Sequence, residues 1–322
     1  MKLLFLKTLI YSILIFISLE IIVRVFHLYD HYPLFIINDK NVKTYAPNQD
    51  GYTVTGNRVM NFAQYHINKS GFNSYREFTP SKNKTDIAII GDSFIEGLHQ
   101  NYNNSIGKKI ESKLNDGTEV FEYGHSGYDF ADQLHLISAY KEKFDLIDYI
   151  IIYMKFENDL KRDFYEPDQY WIDSQYFLTS RIQNKIKLFN YIGNIGLFEP
   201  LRELKGKIVS LGSSNPETES DKTETTKPIS NDLVYLENFK KLIKTYGFNK
   251  SKTAILLDSR TTSKSFLNYC DSMGYKYLDF GKALEQSKTP ATLIYDMHWN
   301  NHGREIIASE ISSYIKSVKV SN

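Results

Sequence analysis

From Asp86 onward the chain alternates short apolar runs with segments of helical periodicity, and this alternation limits the possible fold more than any other feature. The runs are Ile87–Ile90, Glu119–Tyr123, Tyr149–Met154, Thr253–Leu257 and Tyr275–Phe280. Tyr149–Met154 has no polar alternation, which suits a parallel strand buried on both faces. Between the runs, Ile106, Ile110 and Leu114 share one helical face, and a second helix is expected at about Phe130–Lys141. Further helices carry Leu233, Leu236, Phe239 and Ile243, then Cys270 within Thr262–Met273. A last helix from Gly303 turns Ile307, Ile311 and Tyr314 or Ile315 inward. Strands alternating with helices imply an α/β fold, a three-layer α/β/α sandwich with a parallel sheet. Ligands in such folds sit beyond the C-terminal ends of the strands. Every chemically interesting residue is expected to follow a strand, with Leu293–Tyr295 delivering the Asp296 loop.

Three segments fall outside that pattern. Leu3 to Phe26 is apolar, broken by Lys7, Glu20 and Arg24. It is long enough to span a bilayer, which takes about 20 apolar residues. The expectation is a signal anchor over 1–27. A cleaved signal peptide is the rival, although no small-x-small site follows the apolar stretch. The Lys and Arg flanks leave the orientation open. A short leading segment favours export, so the bulk of the chain is expected in the periplasm or outside the cell. Residues 28–85 read as an irregular lead-in, ending in the polar stretch Thr79–Lys84. An insertion at about 160–230 opens with Phe164, Tyr165, Tyr170, Trp171, Tyr176 and Phe177. Its later part, 210–228, is nearly devoid of apolar side chains and is expected to be disordered. The main domain is therefore expected over 86–318.

The 39 basic and 38 acidic side chains give a net charge of +1, and the basic ones are scattered. That balance argues against a nucleic-acid partner. The one cysteine, Cys270, excludes an internal disulfide and a Cys-rich metal site, and reads as a small core residue.

The chemistry concentrates in two places. Gly91-Asp92-Ser93-Phe94 ends the first apolar run, and a strand-to-helix turn with a serine at its tip presents a nucleophile. Asp296-Met297-His298 lies near the other end. A serine nucleophile needs a base, and the base needs an orienting carboxylate. Ser93, His298 and Asp296 supply those types, with His302 as an alternative base. Asp92 is read as bracing the turn. His125 is read as lining a pocket or as a satisfied polar residue, and His99 and His135 as surface or packing residues. No His and carboxylate set has metal-ligand spacing, so no metal or cofactor is expected.

These blocks resemble the SGNH hydrolases, also called the GDSL esterase/lipase superfamily. Four match across most of 86–318: Gly91–Phe94; Tyr123-Gly-His-Ser-Gly-Tyr128; Phe156-Glu-Asn-Asp159; and Asp296–His298 followed by Trp299-Asn300. Ile67–Asn73, behind an apolar anchor, also looks like many exported bacterial members. The resemblance implies a flavodoxin-like sheet and a Ser93–His298–Asp296 triad. It also implies an oxyanion hole from the Ser93 and Gly127 N–H groups and the Asn158 amide. The substrate would be an acyl ester, with acetyl groups on cell-envelope polysaccharide or a lipid as its source, and transfer to a second alcohol as a variant. Two departures stand out. Only Met297 separates the acid from the histidine, where two residues are common, and Glu157 stands where a glycine is common. They motivate a rival from another class, a catalytically silent binding or scaffold component of an envelope assembly. Asn158-Asp159 also reads as a helix cap, and a flavodoxin-type cofactor protein is a more distant rival that leaves the Asp296–His298 loop without a role.

Overall fold

The structure, a computed structural model, describes residues 1–56, 59–197 and 231–321. The expectation of disorder at 210–228 lies outside the described residues.

The core is a five-stranded parallel sheet. Its strands are β5 (Asp86–Gly91), β6 (Glu119–Gly124), β7 (Tyr149–Tyr153), β8 (Thr253–Leu257) and β9 (Lys276–Asp279), in the order β6-β5-β7-β8-β9. Numbered from β5 this is 2-1-3-4-5, the flavodoxin-like order, whose switch point lies between β5 and β7. The register pairs Ile90 with Tyr123 and Ile152, so the C-terminal ends of three strands lie level.

Both faces are covered. Ile87, Ile89, Ile151 and Leu256 pack on α3 (Ile106–Leu114) and α13 (Asn301–Ser321), whose Ile307, Ile311 and Ile315 are fully buried. Ala88, Ile90, Ile152 and Ile255 face the other way. They meet α4 (Phe130–Ala139), α10 (Asp232–Tyr246) and α11 (Lys264–Met273) through Phe130, Phe239, Phe266 and Cys270. Burying each such aliphatic side chain contributes about 1.5–3 kcal/mol. The three-layer sandwich expected from the apolar runs is therefore the observed architecture.

The lead-in is not irregular. It holds two antiparallel hairpins, β1 (Phe35–Ile37) with β2 (Lys43–Tyr45), and β3 (Gln49–Thr55) with β4 (Asn61–Ile67). Along β4, Ala63, Tyr65 and Ile67 are buried and alternate with more exposed residues, a period of two hidden among polar Tyr, Asn and Gln. Tyr45, Tyr65 and Ile67 close on Leu98 beside the Ser93 turn. The described start of the insertion is also ordered. It forms α7 (Gln169–Ser174), α8 (Leu178–Lys185) and α9 (Lys187–Asn194), following α5 (Lys141–Leu146) and the short α6 (Phe156–Asp159). These helices are short and half-covered, so their periodicity is weak in the sequence.

Helix α1 (Lys2–Val25) is long and apolar enough to cross a membrane, and Val23 is its one buried residue.

Candidate active site

Ser93 opens a single helical turn, α2 (Ser93–Glu96), directly after β5. Asp92 caps that turn by accepting the Phe94 N–H at 2.9 Å, and its other oxygen meets Lys155 Nζ at 2.6 Å. Asp92 thus braces the serine, as its position suggested. The turn lies hard against β6: a Cβ on Gly124 would fall 1.9 Å from the Glu96 nitrogen, so only glycine fits there.

The structure brings Ser93, His298 and Asp296 together. His298 Nε2 lies 2.7 Å from Ser93 Oγ. Asp296 Oδ1 accepts the His298 backbone N–H at 2.8 Å and is in contact with His298 Nδ1. One intervening residue suffices because the carboxylate folds back over its own loop. Burial pushes the Asp296 carboxyl upward, but the His298 amide and ring outweigh it and hold the group below its ordinary value.

The loop that carries Asp296 does not follow a strand. It comes after the short helix α12 (Gly281–Glu285) and is closed by a bridge between Thr292 and Trp299. Trp299 is buried against Phe94, Tyr153 and Phe280, at ring distances of 4.9, 5.2 and 5.4 Å. Asn300 holds the far side, donating to the Pro290 and Thr292 carbonyls and accepting from the Gly303 N–H. His302 is turned away onto Ser287 Oγ at 2.8 Å, so His298 is the histidine at the serine.

His99 differs from its expected surface or packing role. Its ring lies 4.2 Å from that of His298, and its Nε2 is 3.8 Å from Asp296 Oδ2. Burial, then the nearby His298, lowers its pKa to about 4. No pattern near residue 99 signals this, since the contact depends on Leu98 docking under the lead-in hairpins. His99, Asp296 and His298 place metal-ligating atom types within 4.8 Å of one another, although their spacing in the sequence suggests no site. While His298 serves Ser93 and Asp296 with its two nitrogens, neither nitrogen is free for an ion. His135 stacks on Tyr165 at 3.9 Å, a packing role.

Gly127 sits in the loop after β6 and Asn158 in the short α6 that follows β7, β6 and β7 being the two neighbours of β5, and both residues are exposed. Gly127 has φ of +74°, a conformation that favours glycine. Asn158 lies within α6 rather than capping it, and its amide donates to Asp159 Oδ1 at 3.2 Å. Glu157 is exposed. A buried carboxylate links these parts: Glu96 accepts from Tyr45 Oη at 2.5 Å and from the Ser126 N–H at 2.7 Å. Burial holds its carboxyl above the usual range. Glu96 therefore ties the serine turn to the loop of Gly127, a link that needs Tyr45 from the lead-in and is invisible in the linear order.

His125 is sandwiched between the Tyr45 and Tyr128 rings, at 4.5 and 5.0 Å. Its Nδ1 faces the Ser126 carbonyl at 2.9 Å, while the buried Nε2 meets no hydrogen-bond partner among the described residues. Burial drops its pKa to about 3. The unfolded chain binds this proton near pH 6.5 and the folded chain does not, so stability is full above 6.5 and declines as pH falls toward 3. We expect a loss of about 2–5 kcal/mol over that window. Melting temperatures of the detergent-solubilised chain should show it, and His125→Phe should flatten the acid limb; an equal acid slope in both proteins would refute the assignment.

Beside Gly127 opens a cavity of about 380 Å³. Phe35 and Trp171 form its apolar side, and Lys43, Asp129, Arg162 and Glu166 its polar side. Arg162 bridges Asp129 and Asp132 at the start of α4, fixing the floor.

No family model and no curated protein matches the chain. Among solved structures it is similar to the lipase/acylhydrolase from Enterococcus faecalis, with 11% identity and a TM-score of 0.40 over 72% of this chain and 96% of that one. It is also similar to the psychrotrophic esterase EstA from Pseudoalteromonas sp., at 12% identity and 0.41 over 74% of this chain and 100% of that one. For Est24, a carbohydrate acetylesterase from Sinorhizobium meliloti, the figures are 14% and 0.34, over 73% and 100%. With so few residues shared, the chemistry of this chain rests on its own atoms.

Proposed function

We propose that the protein is a membrane-anchored serine esterase of the SGNH type, acting on acyl esters. The observation that carries this reading is the 2.7 Å contact between Ser93 Oγ and His298 Nε2, made between residues 205 positions apart. Ser93 Oγ attacks the acyl carbonyl carbon while His298 Nε2 takes the hydroxyl proton, and Asp296 holds the ring and steadies its positive charge. The carbonyl oxygen becomes an oxyanion, met by the Ser93 and Gly127 N–H groups and the Asn158 amide. The intermediate collapses, the C–O bond breaks, and His298 returns the proton to the departing alcohol. Water then enters, gives a proton to His298 and attacks the acyl-enzyme; the free acid leaves and Ser93 recovers its proton. A second alcohol in place of water makes the same cycle a transfer.

The cavity beside Gly127 supports a sugar as the alcohol part. Carboxylates accept hydroxyl protons, Lys43 and Arg162 donate, and the exposed Trp171 offers a flat apolar face. Helix α1 serves as the anchor in this reading.

A fluorophosphonate probe tests both halves. The full chain in detergent should be labelled at Ser93, and an O-acetylated oligosaccharide should slow the labelling. An unlabelled protein would favour the scaffold reading; labelling that the saccharide leaves unchanged would remove the glycan assignment.

A further inference from the structure

Helix α1 does not trail away from the body. Its Glu20 carboxylate accepts the Lys187 and Leu188 N–H groups at 3.0 and 2.7 Å, at the start of α9. Arg24 donates to the Lys185 carbonyl at 2.7 Å, at the end of α8. One turn earlier, the Phe16 ring meets that of Phe189 at 5.7 Å. The corner between α8 and α9 is therefore pinned to the last turns of α1.

This fixes a level. From Lys2 to Leu19, with Lys2 and Lys7 as the charges at its N-terminal end, α1 runs about 27 Å at 1.5 Å per residue, close to the thickness of a hydrocarbon core, and long lysine side chains near a helix end reach the headgroups. Glu20 and Arg24 then mark where the helix leaves the lipid, and α9 sits at that depth. The chemistry of α8 suits the place. Tyr176 and Phe177 just ahead of the helix, and Leu178 and Ile182 on it, are exposed, Leu178 by 71%, and Arg181 and Lys185 are exposed beside them. Aromatic and aliphatic side chains flanked by basic ones are the composition of a helix lying in a membrane interface.

We infer that α8 and α9 lie in the headgroup boundary of the bilayer that α1 crosses, as a second, surface-lying membrane contact. The inference rests on the reading of α1 as a retained anchor. It also orients the site: a cavity of about 210 Å³ separates Asp296 and His99 from Leu28, Tyr191 and Ile195, so the proposed acid lies one cavity away from the interfacial helices.

Single cysteines carrying an environment-sensitive fluorophore test it in the full chain, reconstituted into phosphatidylethanolamine–phosphatidylglycerol vesicles with doxyl-labelled lipid as quencher. Cys270 is buried and stays unlabelled under native conditions, which the unsubstituted chain checks. Probes go at Leu178→Cys and Ile182→Cys, at Tyr11→Cys within α1, and at Ser272→Cys, exposed at the end of α11 ahead of β9. The expected result is loss of fluorescence at 11, 178 and 182, with 272 unaffected. Quenching at 11 alone overturns the inference and leaves the anchor standing. No quenching at 11 overturns the anchor and the inference with it.

Discussion

Ser93→Ala is expected to lower kcat/KM on p-nitrophenyl acetate by about 10⁴–10⁶-fold, the range seen when a serine nucleophile is removed. The fold should not notice. The Ser93 hydroxyl meets His298, whereas the turn is capped by Asp92, so the cap survives the substitution. Stability should therefore change by no more than about 0.5 kcal/mol. His298→Ala should cost a similar factor, and the double variant little more, because the two act as one unit. Asp296 is a different case, since its main-chain and ring contacts fall on the same residue. A Ser93→Ala protein that keeps a tenth of the activity would end the proposed mechanism. The check is steady-state kinetics beside thermal unfolding of both proteins.

Asn158→Ala is expected to lower kcat by about 10²–10³-fold with KM nearly unchanged, the signature of a donor that acts on the oxyanion alone. Asn158 is exposed, so truncation leaves no cavity. Among the described residues its amide is held only by the 3.2 Å contact to Asp159. Asp159 is buried, its carboxyl pushed up to about 8 mainly by that burial, and it also accepts the Lys155 N–H at 2.8 Å. The Asp159 side chain is thus a fixed backstop, and in the proposed mechanism the amide leaves it to meet the oxyanion. Catalytic hydrogen bonds are often loose before substrate arrives. A kcat within threefold of the parent would take Asn158 out of the proposed oxyanion hole and leave the N–H groups of Ser93 and Gly127 as the donors to examine.

Much of the sandwich was readable because burial on a sheet repeats locally. Tyr149 to Met154 announces a strand with both faces covered, and Ile307 and Ile311 with Tyr314 or Ile315 announce one helical stripe, in which Ile315 is the buried member. The hairpins were not readable, since Tyr65 is buried while Gln64 and Phe62 on the same strand are exposed, a pattern that polarity alone does not trace. The short helices α7 to α9 escaped for a related reason: Leu178 and Ile182 are apolar yet exposed, so composition there reports a surface rather than a core. The site divides the same way. Ser93 and Asp296–His298 stand out by residue type and by order. His99, Glu96 and Tyr45 do not, because each has its place only through a partner far along the chain.

Within the sandwich, the chain's linear order determined which segments become the five sheet strands and their covering helices, and that Ser93 stands at the end of the first strand, since both follow from local periodicity and turn chemistry. The tertiary structure alone decided the strand order that sets β6 and β7 on either side of the serine turn. It also decided the docking of Trp299 that carries the histidine to the serine, and the pinning of α8 and α9 to α1. Those outcomes depend on close packing between surfaces that are distant in sequence, and no local pattern encodes which surfaces will meet.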